Sequence, residues 1–339
     1  NEIAIVPGSA TSDIPLITVQ RGHAQRHRGS VLLTDVDLVS LRAINYLFYK
    51  INPDADIEPK SSVIGTLTPT QYDTEGVIDM SNARKAATVV ALRTLGDKVA
   101  AQPTGVADYA PDSSNAPASG FLTVGDVITS VNGAPTLSIQ QLQQALNTLS
   151  PGAIATLTFH AFSSKKETRA AIRLGAVRTT ASGEVCLRTS AKSTLRFVKR
   201  AGKEIACVGI VPVQILGTID TPFQISMSAE GIIGPSAGLA FTLGLIQKLD
   251  GADLTGGAKI AATGTIAVDG SVGDVGGVAQ KTVAVRNAGA TVFFVPQGEL
   301  AVAKAHSSRS LKIFAVSNIA EAIADLKHLG GKVVLPSGR

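Results

Sequence analysis

Apolar and polar residues alternate with two different periods along this chain of 339 residues. Residues 1–20 form an extended apolar stretch, and Gly29–Val36 has the composition of a buried strand bounded by glycine and aspartate. Apolar residues then recur with helical spacing over Leu38–Ile51 and again over Asp79–Leu95, where Gly96 follows as a C-cap. The pattern therefore predicts a protein of mixed helices and strands.

The middle of the chain, residues 97–175, has a different character. Short strands alternate there with glycine, proline and serine turns, and a helix is predicted at about Ser138–Thr148. Asn132-Gly133 indicates a tight turn because both residues tolerate positive φ. These changes predict three segments: an N-terminal segment at 1–96, a small domain at 97–175 and a C-terminal domain at 176–339.

The C-terminal segment returns to a higher apolar density with alternating strand and helix signals. The predicted strands are Ile210–Leu216, Phe223–Met227 and Thr291–Pro296, and the predicted helices are Pro235–Leu249, Ala279–Ala288 and Ile319–Leu329.

Composition excludes several classes of protein. Hydrophobic residues make up 45% of the chain and charged residues 17%, which argues against disorder and against a coiled coil. The net charge of +5 is modest, and no aromatic residues alternate with basic ones as stacking platforms, so no nucleic-acid partner is predicted. We interpret the basic run Arg21–Arg28 as a solvated loop. No run of 18 apolar residues is present.

The two cysteines, Cys186 and Cys207, are too few and too far apart for a metal knuckle, so we predict no metal and no cofactor. Each lies in a strand-like stretch. They are either two small buried apolar residues or, in an extracytoplasmic domain, one disulfide.

The candidate chemistry centres on Ser236 in the run Gly231–Leu243. Gly234 and Pro235 precede the serine and allow the backbone to approach a substrate at what is predicted to be a helix N-terminus. Unpaired N–H groups at such a terminus can stabilise an oxyanion. Ser236 is therefore either a nucleophile or a simple helix N-cap.

A serine nucleophile needs a base, and two bases are candidates. Gly234–Gly238 also fits the Gly-x-Ser-x-Gly elbow of an α/β-hydrolase, for which only His306 and His328 lie downstream. Neither histidine has an acidic partner that its sequence context singles out. Lys281 instead opens an apolar helix after Gly276-Gly277, where desolvation can lower its pKa from about 10.4 toward roughly 7–8.

Four motifs in one order resemble the proteolytic domain of Lon peptidases. They are Gly-Pro-Ser236-Ala-Gly, Ala-Ala-Thr263-Gly264-Thr-Ile, Gly-Gly-Val-Ala-Gln-Lys281 and Ala-Gly-Ala-Thr-Val-Phe-Phe-Val-Pro296, over roughly residues 205–329. The resemblance implies a Ser236–Lys281 catalytic dyad with its partners 45 positions apart, Thr263 orienting the lysine, and substrate contacts at Gly234 and Pro235. Thr263 could equally be a strand-end hydroxyl that satisfies the backbone.

Two departures from the Lon pattern bear on mechanism. Many Lon enzymes carry an acidic residue three positions before the serine, where this chain has Ile233. The chain also lacks a Gly-x-x-x-x-Gly-Lys-[Ser/Thr] motif, which indicates peptidase activity without ATP.

The middle segment resembles a PDZ domain through Gly120–Ile128, Val131-Asn-Gly133 and Ser138–Leu146. The resemblance implies that an extended peptide binds beside the Ser138–Thr148 helix, with a carboxylate-binding loop near Gly105 and Val106. A spacer domain without a ligand is the alternative. Because Asp79–Leu95 is similar to the first Lon helix, the PDZ-like domain is predicted to be inserted into an α/β (α+β) peptidase fold.

Together these resemblances predict an ATP-independent serine endopeptidase that acts on unfolded or extended protein substrates delivered by the PDZ-like domain. They also imply a homo-oligomeric ring, and a location at the cell membrane through an upstream anchor, with the catalytic part outside the cytoplasm. The alternatives are a His-dependent esterase of the α/β-hydrolase class and a non-catalytic PDZ adaptor on a Lon-like scaffold.

Overall fold

The computed structural model describes residues 2–20, 29–111, 115–181, 183–190, 195–221, 223–229 and 231–333. The basic run Arg21–Arg28 lies outside the described residues. Among the helices described, none combines the length and the apolar character that crossing a membrane requires.

The strands are numbered in chain order. They are β1 (Glu2–Ser12), β2 (Ile17–Val19), β3 (Ser30–Ser40), β4 (Asp56–Pro59), β5 (Ala101–Pro111), β6 (Asp126–Val131), β7 (Ala134–Pro135), β8 (Ile154–Ala161), β9 (Thr168–Arg173), β10 (Gly175–Thr180), β11 (Gly183–Leu187), β12 (Lys199–Arg200), β13 (Lys203–Glu204), β14 (Ala206–Cys207), β15 (Ile210–Ile219), β16 (Ile225–Met227), β17 (Lys259–Ala262), β18 (Thr265–Ile266), β19 (Val272–Gly273), β20 (Val292–Pro296) and β21 (Lys312–Val316).

The α-helices are α1 (Ala43–Lys50), α2 (Lys60–Ile64), α3 (Pro69–Thr94), α4 (Ile139–Asn147), α5 (Gly238–Asp250), α6 (Val278–Asn287), α7 (Leu300–His306) and α8 (Ile319–His328). Two short 3₁₀ helices, Ile14–Leu16 and Gln297–Glu299, complete the set. The predicted mixture of helices and strands is confirmed.

The chain divides into two compact units. The first unit comprises residues 1–66, 79–101 and 218–339, and the second comprises 67–78 and 102–217. The second unit is thus inserted into the sequence of the first, in keeping with the predicted insertion. The second unit ends at residue 217 rather than at the predicted residue 175, because β15 pairs with β5 in its sheet.

The first unit is built on a six-stranded mixed sheet of order β21-β20-β17-β3-β1-β4. β3, β17, β20 and β21 run parallel to their neighbours in this series, whereas β1 is antiparallel to both β3 and β4. Leu32, Phe293, Val295 and Val285 pack together in one buried cluster between the sheet and α6. The sheet brings the carboxyl ends of β17 and β20 to the same edge.

The helix predicted over Leu38–Ile51 is wrong in its first third. β3 continues to Ser40, and Leu38 pairs with Ile5 in the ladder between β1 and β3, so the helix begins only at Ala43. Beyond that point the residues are helical, as predicted, although their apolar side chains are not buried. Ile44 is 92% exposed and Phe48 63% exposed, and α1 contains no buried residue.

The second unit contains a sheet of order β15-β5-β6-β8-β9, with helix α4 against its core. Ser138 caps α4 by accepting a hydrogen bond from the Gln141 N–H at 3.1 Å, as the predicted helix start requires. Asn132 and Gly133 both adopt positive φ, at 51° and 79°, in the turn predicted from their sequence.

Cys186 and Cys207 form a disulfide in the second unit. The bond joins β11 to β14, which pair with opposite edges of β10. Of the two alternatives open from the sequence, the structure therefore contains the disulfide.

A carboxyl group directly after β1 is buried against α5, the helix that follows the candidate nucleophile. Asp13 is fully buried, and neither of its carboxyl oxygens has a hydrogen-bond partner within the described structure. It lies so close to α5 that a Cβ at Gly244 would overlap it. Burial raises the pKa of Asp13 well above its usual value, and the nearby Lys248 opposes this rise only in part.

We expect Asp13→Asn to stabilise the protein at neutral and alkaline pH. The folded chain keeps a proton on Asp13 that the unfolded chain releases near pH 4, so the free energy of unfolding falls as pH rises from about 4 toward the raised pKa. Asparagine carries no titrating proton, so the melting temperature of the variant should exceed that of the wild type by about 2–4 °C at pH 8. The two proteins should melt together at pH 4.

Asp269→Asn provides a control of opposite sign. Hydrogen bonds from the Ser271 N–H and hydroxyl lower the pKa of Asp269, so this variant should lose stability at neutral pH. A lower melting temperature for Asp13→Asn than for the wild type at pH 8 would contradict the role given to burial.

Candidate active site

Ser236 lies in the turn that leads into α5. The helix predicted from Pro235 begins at Gly238, two residues beyond the serine, and the Gly238 N–H donates to the Pro235 carbonyl at 3.1 Å. Gly234 has a φ of 88°, a conformation that glycine adopts without strain. Ser236 is half-buried, unlike Ala237 and the first residues of α5, which are buried.

Three hydrogen bonds tie Ser236 and the start of α5 to the residues that follow β17, and two of them are accepted by the Ser236 carbonyl. The Gly264 N–H donates to the Ser236 carbonyl at 2.9 Å, and Thr263 Oγ1 donates to the same carbonyl at 3.3 Å. The Leu239 N–H donates in return to the Gly264 carbonyl at 3.1 Å. This approach requires glycine at 238, where a Cβ would lie 2.9 Å from the Ile266 nitrogen.

These bonds leave two amides available beside the serine. The amides of Gly238 and Leu239 are already used, whereas the Ser236 and Ala237 N–H groups donate to no acceptor among the described residues. Two adjacent unused N–H groups at a helix start can donate hydrogen bonds to a developing negative charge without prior rearrangement. The geometry therefore supplies candidate donors for an oxyanion.

Thr263 is fully buried directly after β17. Its N–H donates to the Phe294 carbonyl at 3.0 Å, and its hydroxyl bonds to the Ser236 carbonyl. The predicted orientation of Lys281 by Thr263 stays a prediction. What the contacts show is a threonine that positions the serine backbone.

Lys281 occupies the first turn of α6. Gly277, which has a φ of 67°, is the N-cap of this helix, and the Lys281 N–H donates to the Gly277 carbonyl at 2.9 Å. Lys281 is only 3% exposed. Burial lowers the pKa of its amine to about 8, while the charges of Asp35 and Glu299 oppose this fall. The desolvation that the sequence context predicted is therefore present.

Asp35 and Glu299 were not found by sequence reasoning. Asp35 lies in β3 just beyond Leu33, the last residue that β3 pairs with β17, and Glu299 follows β20. Because β3, β17 and β20 are neighbours, both carboxylates lie near the edge where Thr263 lies. Burial and Asp274 raise the pKa of Glu299, and Lys281 opposes them. No local motif marks either residue.

The histidines of the alternative hydrolase lie elsewhere. The His306 ring bonds to the Val302 carbonyl at 3.0 Å, one turn earlier in α7, and His328 ends α8. Within the described ranges, neither ring hydrogen-bonds to Ser236.

The predicted carboxylate-binding loop near Gly105 and Val106 is corrected by the fold. Both residues lie inside β5, which pairs with β15 on one side and β6 on the other, so neither offers a free edge to a peptide. Val106 is fully buried. A cavity of about 230 Å³ instead lies beside the predicted helix, between α4 residues such as Leu142 and the stretch Ala206–Ile210.

The described residues contain no group of three or more His, Cys, Asp or Glu side chains that could hold a metal ion.

Comparison with known proteins relates the chain to one peptidase family. A model described as the Lon protease (S16) C-terminal proteolytic domain matches residues 167–327. Similar curated proteins include Lon protease 1 of Herpetosiphon aurantiacus, 32% identical over 115 residues, and the Lon protease of Phenylobacterium zucineum, 35% identical over 114 residues. Each match covers 34% of this chain, which spans only 13% and 14% of those two proteins.

Among solved structures, the PDZ domain of an SdrC-like protein from Listeria monocytogenes is 20% identical, with a TM-score of 0.23. The match covers 33% of this chain and 90% of the Listeria domain.

Proposed function

We propose that this chain, which carries a serine peptidase domain of the Lon type, is an endopeptidase that uses Ser236 as nucleophile and Lys281 as general base. The observation that carries the proposal is the buried amine of Lys281, whose pKa of about 8 allows it to be neutral in a useful fraction of molecules near neutral pH. A surface lysine would stay protonated and could not accept a proton.

In the proposed reaction, the Ser236 hydroxyl attacks the substrate carbonyl carbon while Lys281 takes its proton. The carbonyl oxygen becomes an oxyanion, which receives hydrogen bonds from the Ser236 and Ala237 N–H groups. The Lys281 ammonium then gives its proton to the departing amine. Water, deprotonated by the same amine, hydrolyses the acyl-serine, and the serine is released.

The residues around the dyad have positioning roles in this proposal. Thr263 and Gly264 hold the Ser236 carbonyl, which keeps the two unused amides side by side. Asp35 and Glu299 supply the negative charge that the chain lacks at Ile233 and keep the amine from losing its proton too readily. A base with a pKa near 8 balances availability against basicity.

The wider role is also a proposal. The chain contains no P-loop, and we propose that it cleaves unfolded or extended polypeptides without ATP. We also propose that copies of the chain form a homo-oligomeric ring, which is anchored at a membrane and has its active sites outside the cytoplasm. The disulfide supports an oxidising compartment. The cavity between α4 and Ala206–Ile210 supports peptide delivery by the second unit.

Covalent labelling tests the nucleophile directly. A serine-directed covalent inhibitor should add one adduct per chain, detected by intact-protein mass spectrometry and mapped to the peptide that contains Ser236. Ser236→Ala should abolish the adduct, and Ser271→Ala, which removes an exposed hydroxyl bonded to Asp269, should retain it. Loss of the adduct in His306→Ala or His328→Ala but not in Lys281→Ala would instead favour the α/β-hydrolase alternative.

A further inference from the structure

Strand β1 carries a bulge opposite one of the two carboxylates that oppose the fall in the pKa of Lys281. The pairing of β1 with β3 shifts by one residue between Pro7 and Ala10. Gly8 and Ser9 therefore face the single residue Asp35. Two residues opposite one are a β-bulge, which disrupts the ladder locally and re-aims the groups of its strand. We call Gly8 and Ser9 the β1 bulge.

The β1 bulge holds the Asp35 carboxylate with both polar groups of Ser9. The Ser9 N–H donates to Oδ1 of Asp35, and the Ser9 hydroxyl donates to Oδ2 at 2.9 Å. Each carboxylate oxygen thus has its own donor, and two bonds from one residue fix the orientation of the carboxylate plane. The fit is close, because a Cβ at Gly8 would overlap Oδ1 of Asp35.

This carboxylate lies beside the start of α6. Val36, the next residue of β3, packs so closely against the N-cap Gly277 that a Cβ there would lie 2.8 Å from a Val36 methyl group. Lys281 follows one turn later, and its N–H donates to the Gly277 carbonyl. Of the two charges that oppose the fall in the pKa of Lys281, that of Asp35 has the larger effect.

Asp35 acts on Lys281 across a gap rather than by direct contact. The two side chains form no ion pair in the part of the chain that the structure describes. The interaction of two charges falls as their separation grows and as water enters between them. Because Asp35 is half-buried and Ser9 is exposed, a carboxylate without these bonds is free to turn toward water. The orientation of Asp35 therefore determines how strongly its charge acts on the amine.

We propose that Ser9 is a positioning residue, which fixes the Asp35 carboxylate beside Lys281 and thereby maintains the basicity of the Lys281 amine. Ser9 touches no reacting atom in this scheme. A negative charge held near an amine favours its protonated form, so release of Asp35 should lower the pKa of Lys281 further. The importance of Ser9 for catalysis rests on the proposed peptidase function, whereas its effect on proton binding by Lys281 does not.

An NMR titration of Lys281 measures this effect without any hydrolysis. In protein that contains isotopically labelled lysine, the Lys281 side-chain signal is the one that is missing from Lys281→Met, and its change with pH gives the pKa. Asp35→Asn should lower the pKa of Lys281 by about one pH unit, and Ser9→Ala by about half a unit. Ser9→Thr keeps the N–H and a hydroxyl, and should titrate like the wild type.

Ser12→Ala is the matched control. Ser12 also lies in β1, and its hydroxyl accepts a hydrogen bond from the Ile14 N–H at 3.3 Å, but it does not bond to Asp35 in the described structure. The pKa of Lys281 should be unchanged in this variant. In the active protein, the rising limb of kcat/KM should move to lower pH in Ser9→Ala and stay in place in Ser12→Ala and Ser9→Thr.

An unchanged pKa of Lys281 in Ser9→Ala would overturn the inference, even if the melting temperature fell, because Ser9 would then have a structural role alone. An equal decrease in Ser12→Ala or in Ser9→Thr would also overturn it. If the pKa of Lys281 decreased as expected but kcat/KM had no limb near that pKa, the Ser236–Lys281 proposal would fail while the role of Ser9 remained.

Discussion

Replacing Lys281 with methionine is expected to lower kcat/KM for peptide hydrolysis by about a thousandfold or more. Methionine is similar in length to lysine and fits the buried space of Lys281, which is only 3% exposed, but it cannot accept the Ser236 proton. The folded protein should be at least as stable as the wild type, because the substitution removes a buried amine whose desolvation lowers its pKa to about 8. Activity on a fluorogenic peptide and the melting temperature, measured together, check both statements.

The pH profile gives a second view of the same residue. Only the neutral amine is a base, so kcat/KM of the wild type should rise with pH through a limb near pH 8, where half of the Lys281 side chains lose their proton. Lys259→Met serves as the control. Its amine is exposed and donates to the Ala288 carbonyl, so both the rate and the profile should be unchanged. A Lys281→Met protein that retained wild-type activity would exclude Lys281 as the base.

The largest effect on stability is expected from removal of the disulfide. Cys186 and Cys207 are 21 positions apart, and a crosslink of that span stabilises a domain by about 3 kcal/mol. We expect the double variant Cys186→Ala/Cys207→Ala to lose that amount from the second unit. Hydrogen exchange should show faster exchange in β10, β11 and β14, and little change in β17 or β20 of the first unit.

Reduction of the wild-type protein is the matched comparison, because it breaks the same bond and keeps both cysteine side chains. Reduced wild type and the double variant should exchange alike. If reduction left the exchange of β10, β11 and β14 unchanged, the crosslink would contribute nothing to the stability of the unit.

The proposed dyad could be predicted from the sequence because its signal is local. Ser236 and Lys281 each lie in a short run whose glycines and apolar neighbours determine the helix start and the desolvation of the side chain. Asp35 and Glu299 carry no such run. They meet near Lys281 only because β3, β17 and β20 are neighbours in the sheet, and strand order is a property of the whole first unit.

The difference between local and long-range signals also explains the errors in the predicted fold. The start of α1 was misplaced because Leu38 has helical spacing to Leu41, yet its backbone is held in the ladder with Ile5, more than thirty residues earlier. The end of the second unit was placed at 175 because composition changes there. Its true limit depends on the pairing of β15 with β5, between segments about a hundred residues apart.

The close approach of Asp13 to Gly244 has a consequence for how this protein can change. A side chain at 244 would occupy the space of the buried carboxyl, so a substitution at 244 requires Asp13 to shift. Shortening residue 13 first would open a void beside α5 that alanine at 244 could then fill. The two positions are therefore expected to vary as a pair among descendants of this sequence, with the order of the two replacements imposed by sterics.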